Sequence, residues 1–432
     1  MEKFFESKFM IKLQEFGQKL GQNKFLTALQ AAMMSLMGLI MIGAISQIIC
    51  AIGSESLLNL FNTNDEIYKL LYLPYNFTMD LLSVWLVLLL GYQYSKKLNL
   101  KSPIISAVNS LVAFLIVASA IITAETGVVA LDMSYFGAPG MFVGFLVTFL
   151  SVHIEKFCIE KKIRIKMPDA VPSFLQDSFT ALLPLLFNCI IFLGVNTAIS
   201  VMTNGTYNIC SGFMKILGIP LGALTSVPGM FILCTFSAVL WCFGIHGTLV
   251  ILPILIPLNM QAAATNAALY QSGEPLKFFP VLLFNAMGVC GGVGNTLPLA
   301  LLGLRSKSKQ ISAVSKMSAV PGWFGINEPL VFGMPIMLNP ILCIPYILSV
   351  PILMALYYIG YKIGFLSPAW IMVGGVLPMG FVQYLSTLRW QNAIWDYIML
   401  IPATIIWYPF FKAYEKQLVS REVLAELEED LV

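Results

Sequence analysis

The sequence predicts an all-α polytopic membrane protein, with about ten transmembrane helices plus re-entrant hairpins and amphipathic interfacial helices. Three observations predict it. Hydrophobic residues fill 58% of the 432 positions and charged residues only 11%, too few charges to cover a soluble globule. The mean hydropathy is +0.83, so much of the surface faces lipid. The apolar runs are long enough to cross a bilayer core, and the short loops between them alternate in charge. No large soluble domain fits beside that many spans.

The charge balance excludes other classes. Net charge is +3, from 25 basic and 22 acidic residues, which is no nucleic-acid signature. The eight cysteines are scattered through or beside apolar runs without a CxxC pair, and there are only two histidines. They read as small buried hydrophobes, and neither a metal nor a cofactor is expected. No GxxxxGK[ST] stretch marks an ATP-driven module. Residues 1–24 carry five lysines and a helical stripe of Phe5, Phe9, Leu13, Phe16 and Leu20. They predict an amphipathic cytoplasmic helix, lying on membrane lipid or packed on the protein's own cytosolic face.

Residues 25–154 hold the first four spans, near Phe25–Ala51, Tyr75–Tyr94, Pro103–Thr123 and Phe136–His153. Basic residues cluster at the N-terminus, at Lys96, Lys97 and Lys101, and from Lys156 to Lys166, while the loops between are acidic. The positive-inside rule puts those basic borders, and so the N-terminus, in the cytoplasm. Residues 155–178 form an interfacial connector: Ile163, Ile165 and Met167 alternate with Arg164 and Lys166, and Pro168 and Pro172 follow. Residues 179–412 are different in kind. Their apolar runs are cut repeatedly, as at Pro228-Gly229, Gly244-Ile245-His246-Gly247, Gly291-Gly292-Val293-Gly294 and Pro321-Gly322. Broken helices are tolerated in a membrane where protein buries them or where they line a wet cavity, and clustered breaks point to a transport site. This half is read as the transport domain, residues 25–154 as a scaffold, and residues 413–432 as a charged cytoplasmic tail.

Few polar residues remain inside the apolar back half. His246 sits between glycines that let backbone approach a ligand; a buried structural histidine is the other reading. Glu328, in Gly325-Ile326-Asn327-Glu328-Pro329, is a carboxylate that costs about 3 kcal/mol in hydrocarbon, so it must face a cavity or a partner. Pro329 disfavours α geometry at the preceding residue, which sets Glu328 on a bend. With Asn327 and Trp323 it makes a set suited to a polyhydroxylated ligand: carboxylate and amide for hydroxyls, indole for a sugar's C–H face. A structural cap at a hairpin tip is the alternative. Asn295 and Thr296 close a glycine turn that either aims N–H groups at a ligand or only packs helices closely. Asp80 and Asp396 are the other candidates; both lie near span ends, where an interfacial position is the alternative reading.

These residues resemble the membrane-spanning permeases, enzyme IIC, of the phosphoenolpyruvate-dependent sugar phosphotransferase system, in the lactose/cellobiose/diacetylchitobiose branch. Gly325-Ile326-Asn327-Glu328-Pro329 resembles the GxNEP signature. Pro168-Asp169-Ala170-Val171-Pro172 with Ser178-Phe179 and Pro184, Gly244-Ile245-His246-Gly247, Gly291-Gly292-Val293-Gly294-Asn295-Thr296-Leu297 and Tyr408-Pro409-Phe410-Phe411-Lys412 are similar to further motifs of that branch, in the same order. The resemblance covers nearly the whole chain. It departs at Gln30, where the family often has an arginine, and at Gly374–Pro378, a loose match to a hairpin.

The resemblance implies a homodimer that imports a sugar, such as cellobiose, diacetylchitobiose or lactose, and presents its C6 hydroxyl to a phosphocysteine on a separate enzyme IIB, itself charged by IIA. It assigns Glu328 and His246 to the reacting hydroxyl; Asn327, Trp323, Gly247, Asn295, Thr296 and Gln30 are read beside them as sugar-binding residues. No IIB or IIA domain is expected in the chain, because the tail after Lys412 has no Cys or His. The rival readings are an ion-coupled secondary sugar transporter, a membrane enzyme acting on lipid-linked sugar, and a permease-like receptor or regulator without transport.

Overall fold

The computed structural model describes residues 22–54, 58–123, 127–165, 173–337, 339–374 and 376–429. The stripe of residues 5–20 and the Pro168–Pro172 motif lie outside them. The described chain is almost wholly helical, with seven helices or helix pairs long and apolar enough to cross a membrane and three shorter apolar ones. It packs as two compact units, Gln22–Gly222 with Ile256–Gln261, and Ala223–Leu255 with Ala262 onward.

The first unit begins with α1 (Lys24–Ser35), capped by the Asn23 side chain, which accepts from the N–H groups of Phe25 and Leu26 at 3.0 and 3.1 Å. There follow α2 (Met37–Gly53), α3 (Glu66–Thr78), α4 (Leu82–Lys97), α5 (Pro103–Ala118), α6 (Met141–Glu160), α7 (Ser173–Met202) and α8 (Ile209–Leu224). Helix α4 is the hub, packed on α1, α5 and α6, while α7 lies on α5 and α6. Val87, Phe114, Val143, Val147 and Phe192 form the core between them.

The third apolar run, expected to span to Thr123, leaves the helix at Ala118. Residues Ile121–Thr123 pair antiparallel with Val129–Leu131 as an exposed hairpin, β1 and β2. The β-branched runs Ile121-Ile122-Thr123 and Val128-Val129 favour extended backbone.

A buried polar seam crosses this unit. Ser106 Oγ on α5 donates to Glu155 Oε1 on α6 at 2.8 Å, and Asn188 Nδ2 on α7 donates to Ser151 Oγ on α6 at 2.9 Å. That seam, with the packing of α7, explains why compactness breaks at residues 222–223 and not at 178–179, where the sequence pattern changes.

The second unit contains α9 (Val227–Cys242), α10 (Gly247–Gln271), α11 (Leu297–Gly303), α12 (Lys309–Trp323), α13 (Glu328–Gly333), α14 (Pro340–Lys362), α15 (Phe381–Thr387), α16 (Trp390–Ile398) and α17 (Leu400–Glu429); α10 also supplies Ile256–Gln261 to the first unit. Three of these are helices of seven residues or fewer, which is where the glycines and prolines cut the apolar runs. Helix α14 is central, packed on α9, α17 and a 3₁₀ turn at Pro280–Met287.

The charged tail beyond Lys412 continues α17. Its carboxylates hold the loop before α12: Glu415 accepts from Ser306 Oγ at 2.7 Å and the Lys307 N–H at 3.0 Å. Glu422 accepts from Ser308 Oγ at 2.7 Å and from the N–H groups of Lys309 and Gln310, each at 3.1 Å. Acidic α17 thus ties down a basic loop.

Close contact of α4 and α5 depends on Gly91, where an added Cβ would stand 2.9 Å from the Ala107 Cα. Small residues at such crossings let membrane helices approach. Gly91→Leu is therefore expected to cost about 1–3 kcal/mol and lower the melting temperature of the detergent-solubilised protein.

Candidate functional site

The second unit gathers most of the residues singled out in the sequence. Its centre is the turn Gly288–Thr296. Asn295, fully buried with φ 53°, holds the turn from inside. Its Oδ1 accepts from the Cys290 N–H at 3.0 Å, and its Nδ2 reaches the carbonyls of Ala286 and Met287 at 3.4 and 3.3 Å. Thr296 Oγ1 donates to the Gly291 carbonyl at 2.7 Å. From behind, Ser349 Oγ on α14 and Trp407 Nε1 on α17 donate to the Gly294 carbonyl at 2.7 and 3.2 Å. Much of the turn's polar backbone is thus bonded within the protein, as non-helical backbone in a membrane protein requires.

This turn is buckled to the loop that carries Glu328. Asn327 Nδ2 donates to the Val293 carbonyl at 2.8 Å. The approach is so close that a Cβ on Gly292, whose φ is +79°, would stand 2.8 Å from Asn327 Cγ. Only glycine suits that position. Asn327 also caps α13, its carbonyl accepting from the Leu330 and Val331 N–H groups at 3.0 and 2.9 Å. The Tyr346 phenol lies near the Asn327 side chain without a hydrogen bond of ordinary geometry. Glu328 is the first residue of α13, with Pro329 next, so the expected bend is a helix start. Its side chain is exposed.

His246 caps α10. The Leu249 N–H donates to its Nδ1 at 3.3 Å, and its ring lies 4.2 Å from that of Trp241, tilted by 47°. With Nδ1 accepting, the proton of the neutral ring sits on Nε2. The Glu328 carboxylate lies near enough to the imidazole to interact with it electrostatically. Gly247 is needed for packing: a Cβ there would stand 2.0 Å from the Ser237 carbonyl oxygen of α9.

Trp323 ends α12 and borders a cleft of about 310 Å³ beside Phe324–Ile326 and the strap Val376–Gly380, with Gln383 and Asp396 also in its walls. The indole Nε1 donates to Tyr397 Oη at 3.3 Å, Tyr397 Oη donates to the Met379 carbonyl at 2.8 Å, and the Met379 N–H donates to the Trp323 carbonyl at 2.9 Å. Glu328 and His246 are not among the cleft's walls. Asp396 is buried, and the Tyr357 phenol on α14 donates to its carboxylate. Sequence reasoning missed this pair and Gln383, because only the fold brings α14, α15 and α16 together. Gln30 lies on α1 of the other unit, half-buried.

The helical architecture and the broken-backbone site define a multi-pass membrane protein with a preformed polar loop cluster. Residues 30–349 match the model of the family described as phosphotransferase system, EIIC. The oligo-beta-mannoside-specific EIIC component of Bacillus subtilis (strain 168) is 28% identical over 425 residues, covering 94% of this chain and 92% of the relative. The lichenan permease IIC component of the same organism is 32% identical over 302 residues, 69% of this chain and 66% of the relative. Among solved structures, the transporter ChbC, the IIC component from the N,N'-diacetylchitobiose-specific phosphotransferase system, superposes with a TM-score of 0.86 at 27% identity, covering 97% of this chain and 99% of that one. The chain belongs to the phosphotransferase EIIC family and is a sugar permease of its lactose/cellobiose branch.

The geometry separates residues that hold the loops from one whose side chain stays exposed. Asn295→Ala leaves the buried Cys290 N–H unpaired and is expected to destabilise the unliganded protein by about 1–3 kcal/mol. Glu328→Gln, at an exposed side chain, should leave its melting temperature in detergent unchanged.

Proposed function

We propose that this permease imports a β-linked disaccharide of the cellobiose, diacetylchitobiose or lactose type and presents its C6 hydroxyl for phosphorylation by a separate phosphocysteine enzyme IIB, recharged by IIA. It works as a homodimer in the bacterial cell membrane with its N-terminus in the cytoplasm. The observation that carries this reading is the exposed Glu328 carboxylate at the start of α13, on a loop buckled to the glycine turn through Asn327 and Val293. The specificities named for the relatives, oligo-beta-mannoside, lichenan and N,N'-diacetylchitobiose, support the substrate class.

In this reading the C6 oxygen attacks the phosphorus of the IIB phosphocysteine. The new O–P bond forms as the P–S bond breaks, the thiolate stays on IIB, and the hydroxyl proton passes to the Glu328 carboxylate. Glu328 accepts from the hydroxyl and so fixes its lone pair towards phosphorus. His246 donates from Nε2 to a sugar oxygen, because Nδ1 is committed to the Leu249 N–H. Phosphoryl transfer has a loose transition state, so positioning outweighs strong base catalysis. Asn327, Asn295, Thr296 and Gly247 act as positioning residues, and Trp323 offers an apolar face to the sugar.

The test is phosphorylation of radiolabelled disaccharide by vesicles supplied with phosphorylated IIB. Glu328→Gln should lower the rate by at least about a hundredfold. An unimpaired rate overturns the assignment, and accumulation of unmodified sugar under a proton or sodium gradient would favour ion-coupled transport instead.

A further inference from the structure

The first unit carries a second recess, unrelated to the sugar chemistry. It is a groove of about 580 Å³ between α6, α7 and α8, walled by apolar side chains including Leu146, Ile191, Phe192, Val195 and Ile216. Its polar groups gather at one end, at the turn from Thr203 to Asn208 that joins α7 to α8.

That end holds a basic side chain. Lys215 is the one charged residue of α8. It sits six residues into the helix, about 9 Å from its start, yet its ammonium group reaches back to the turn, as lysines near the ends of membrane helices do. There it donates to the Tyr207 phenol and stands 4.5 Å from the centre of the Tyr207 ring. Among the described residues it forms no ion pair with a carboxylate. Tyrosine at a helix end is typical of the headgroup level.

We infer that this groove is a binding site for an anionic phospholipid, with an acyl chain along the apolar walls and the phosphate at Lys215 and Tyr207. The walls suit hydrocarbon and offer a sugar almost nothing to bond. The ammonium group supplies the charge complementarity. An apolar face of a second copy would bury that ammonium without an anion, and a zwitterionic lipid would bring a cation beside it.

Native mass spectrometry of the full chain tests the site, with phosphatidylglycerol and phosphatidylcholine of matched acyl chains as probes. Binding should favour phosphatidylglycerol about fivefold, the factor one surface lysine is worth. Lys215→Met should remove that preference while leaving chain binding, and Val195→Trp, which fills the groove, should weaken both lipids. Lys101→Met, a control at another exposed lysine, should keep the preference. Equal binding of the two lipids by the wild type overturns the proposal, as does a preference that survives Lys215→Met. So does an intermolecular cross-link from a cysteine placed at Val195, which would assign the groove to a second copy.

Discussion

The structure turns on one constraint: backbone that leaves a helix inside a membrane must find its hydrogen bonds in the protein. The second unit breaks its helices repeatedly and meets this constraint with side chains from distant parts of the chain. Asn295 serves the glycine turn from within, Ser349 and Trp407 serve it from α14 and α17, and Asn327 ties it to the next loop. Once those bonds are made, the positions flanking them are held. Glu328 follows Asn327 directly, so the buckle that satisfies Val293 also sets where the carboxylate begins.

This division of labour sharpens the meaning of the family motifs. In Gly325-Ile326-Asn327-Glu328-Pro329, the asparagine is spent on structure, the proline starts a helix, and the glutamate remains exposed. In Gly244-Ile245-His246-Gly247, the second glycine is required by the Ser237 carbonyl, while the histidine uses one nitrogen as a cap and keeps the other. Residues that look equally polar in sequence thus separate into those that hold the loops and those with a polar group to spare.

Much of this was legible in the chain. Scarce charge and long apolar runs identify a polytopic helical protein, and the clustering of glycine and proline locates the broken half. His246 and Glu328 stand out because polar groups there are so few. Other features were not legible, for physical reasons. The partner of Asp396, the Tyr357 phenol that donates to it from α14, leaves no mark in the sequence. Glu155 borders a basic stretch, yet its side chain turns inward to Ser106. The run to Thr123 has the hydropathy of a span, but its β-branched residues pair as a hairpin. In each case a partner far along the chain, or local backbone preference, overrides the hydropathy pattern. The charged end of α17 shows the same effect: Glu415 and Glu422 are occupied by the loop at residues 306–310.

The central claim is that Glu328 recognises the sugar hydroxyl that becomes phosphorylated. The most direct measurement compares the affinity of the wild type and of Glu328→Gln for the disaccharide and for its analogue lacking that C6 hydroxyl. The account predicts that the wild type loses about 1.5–3 kcal/mol with the deoxy analogue, the worth of a hydrogen bond to a charged group, and that Glu328→Gln loses much less. Equal losses in the two proteins would contradict it.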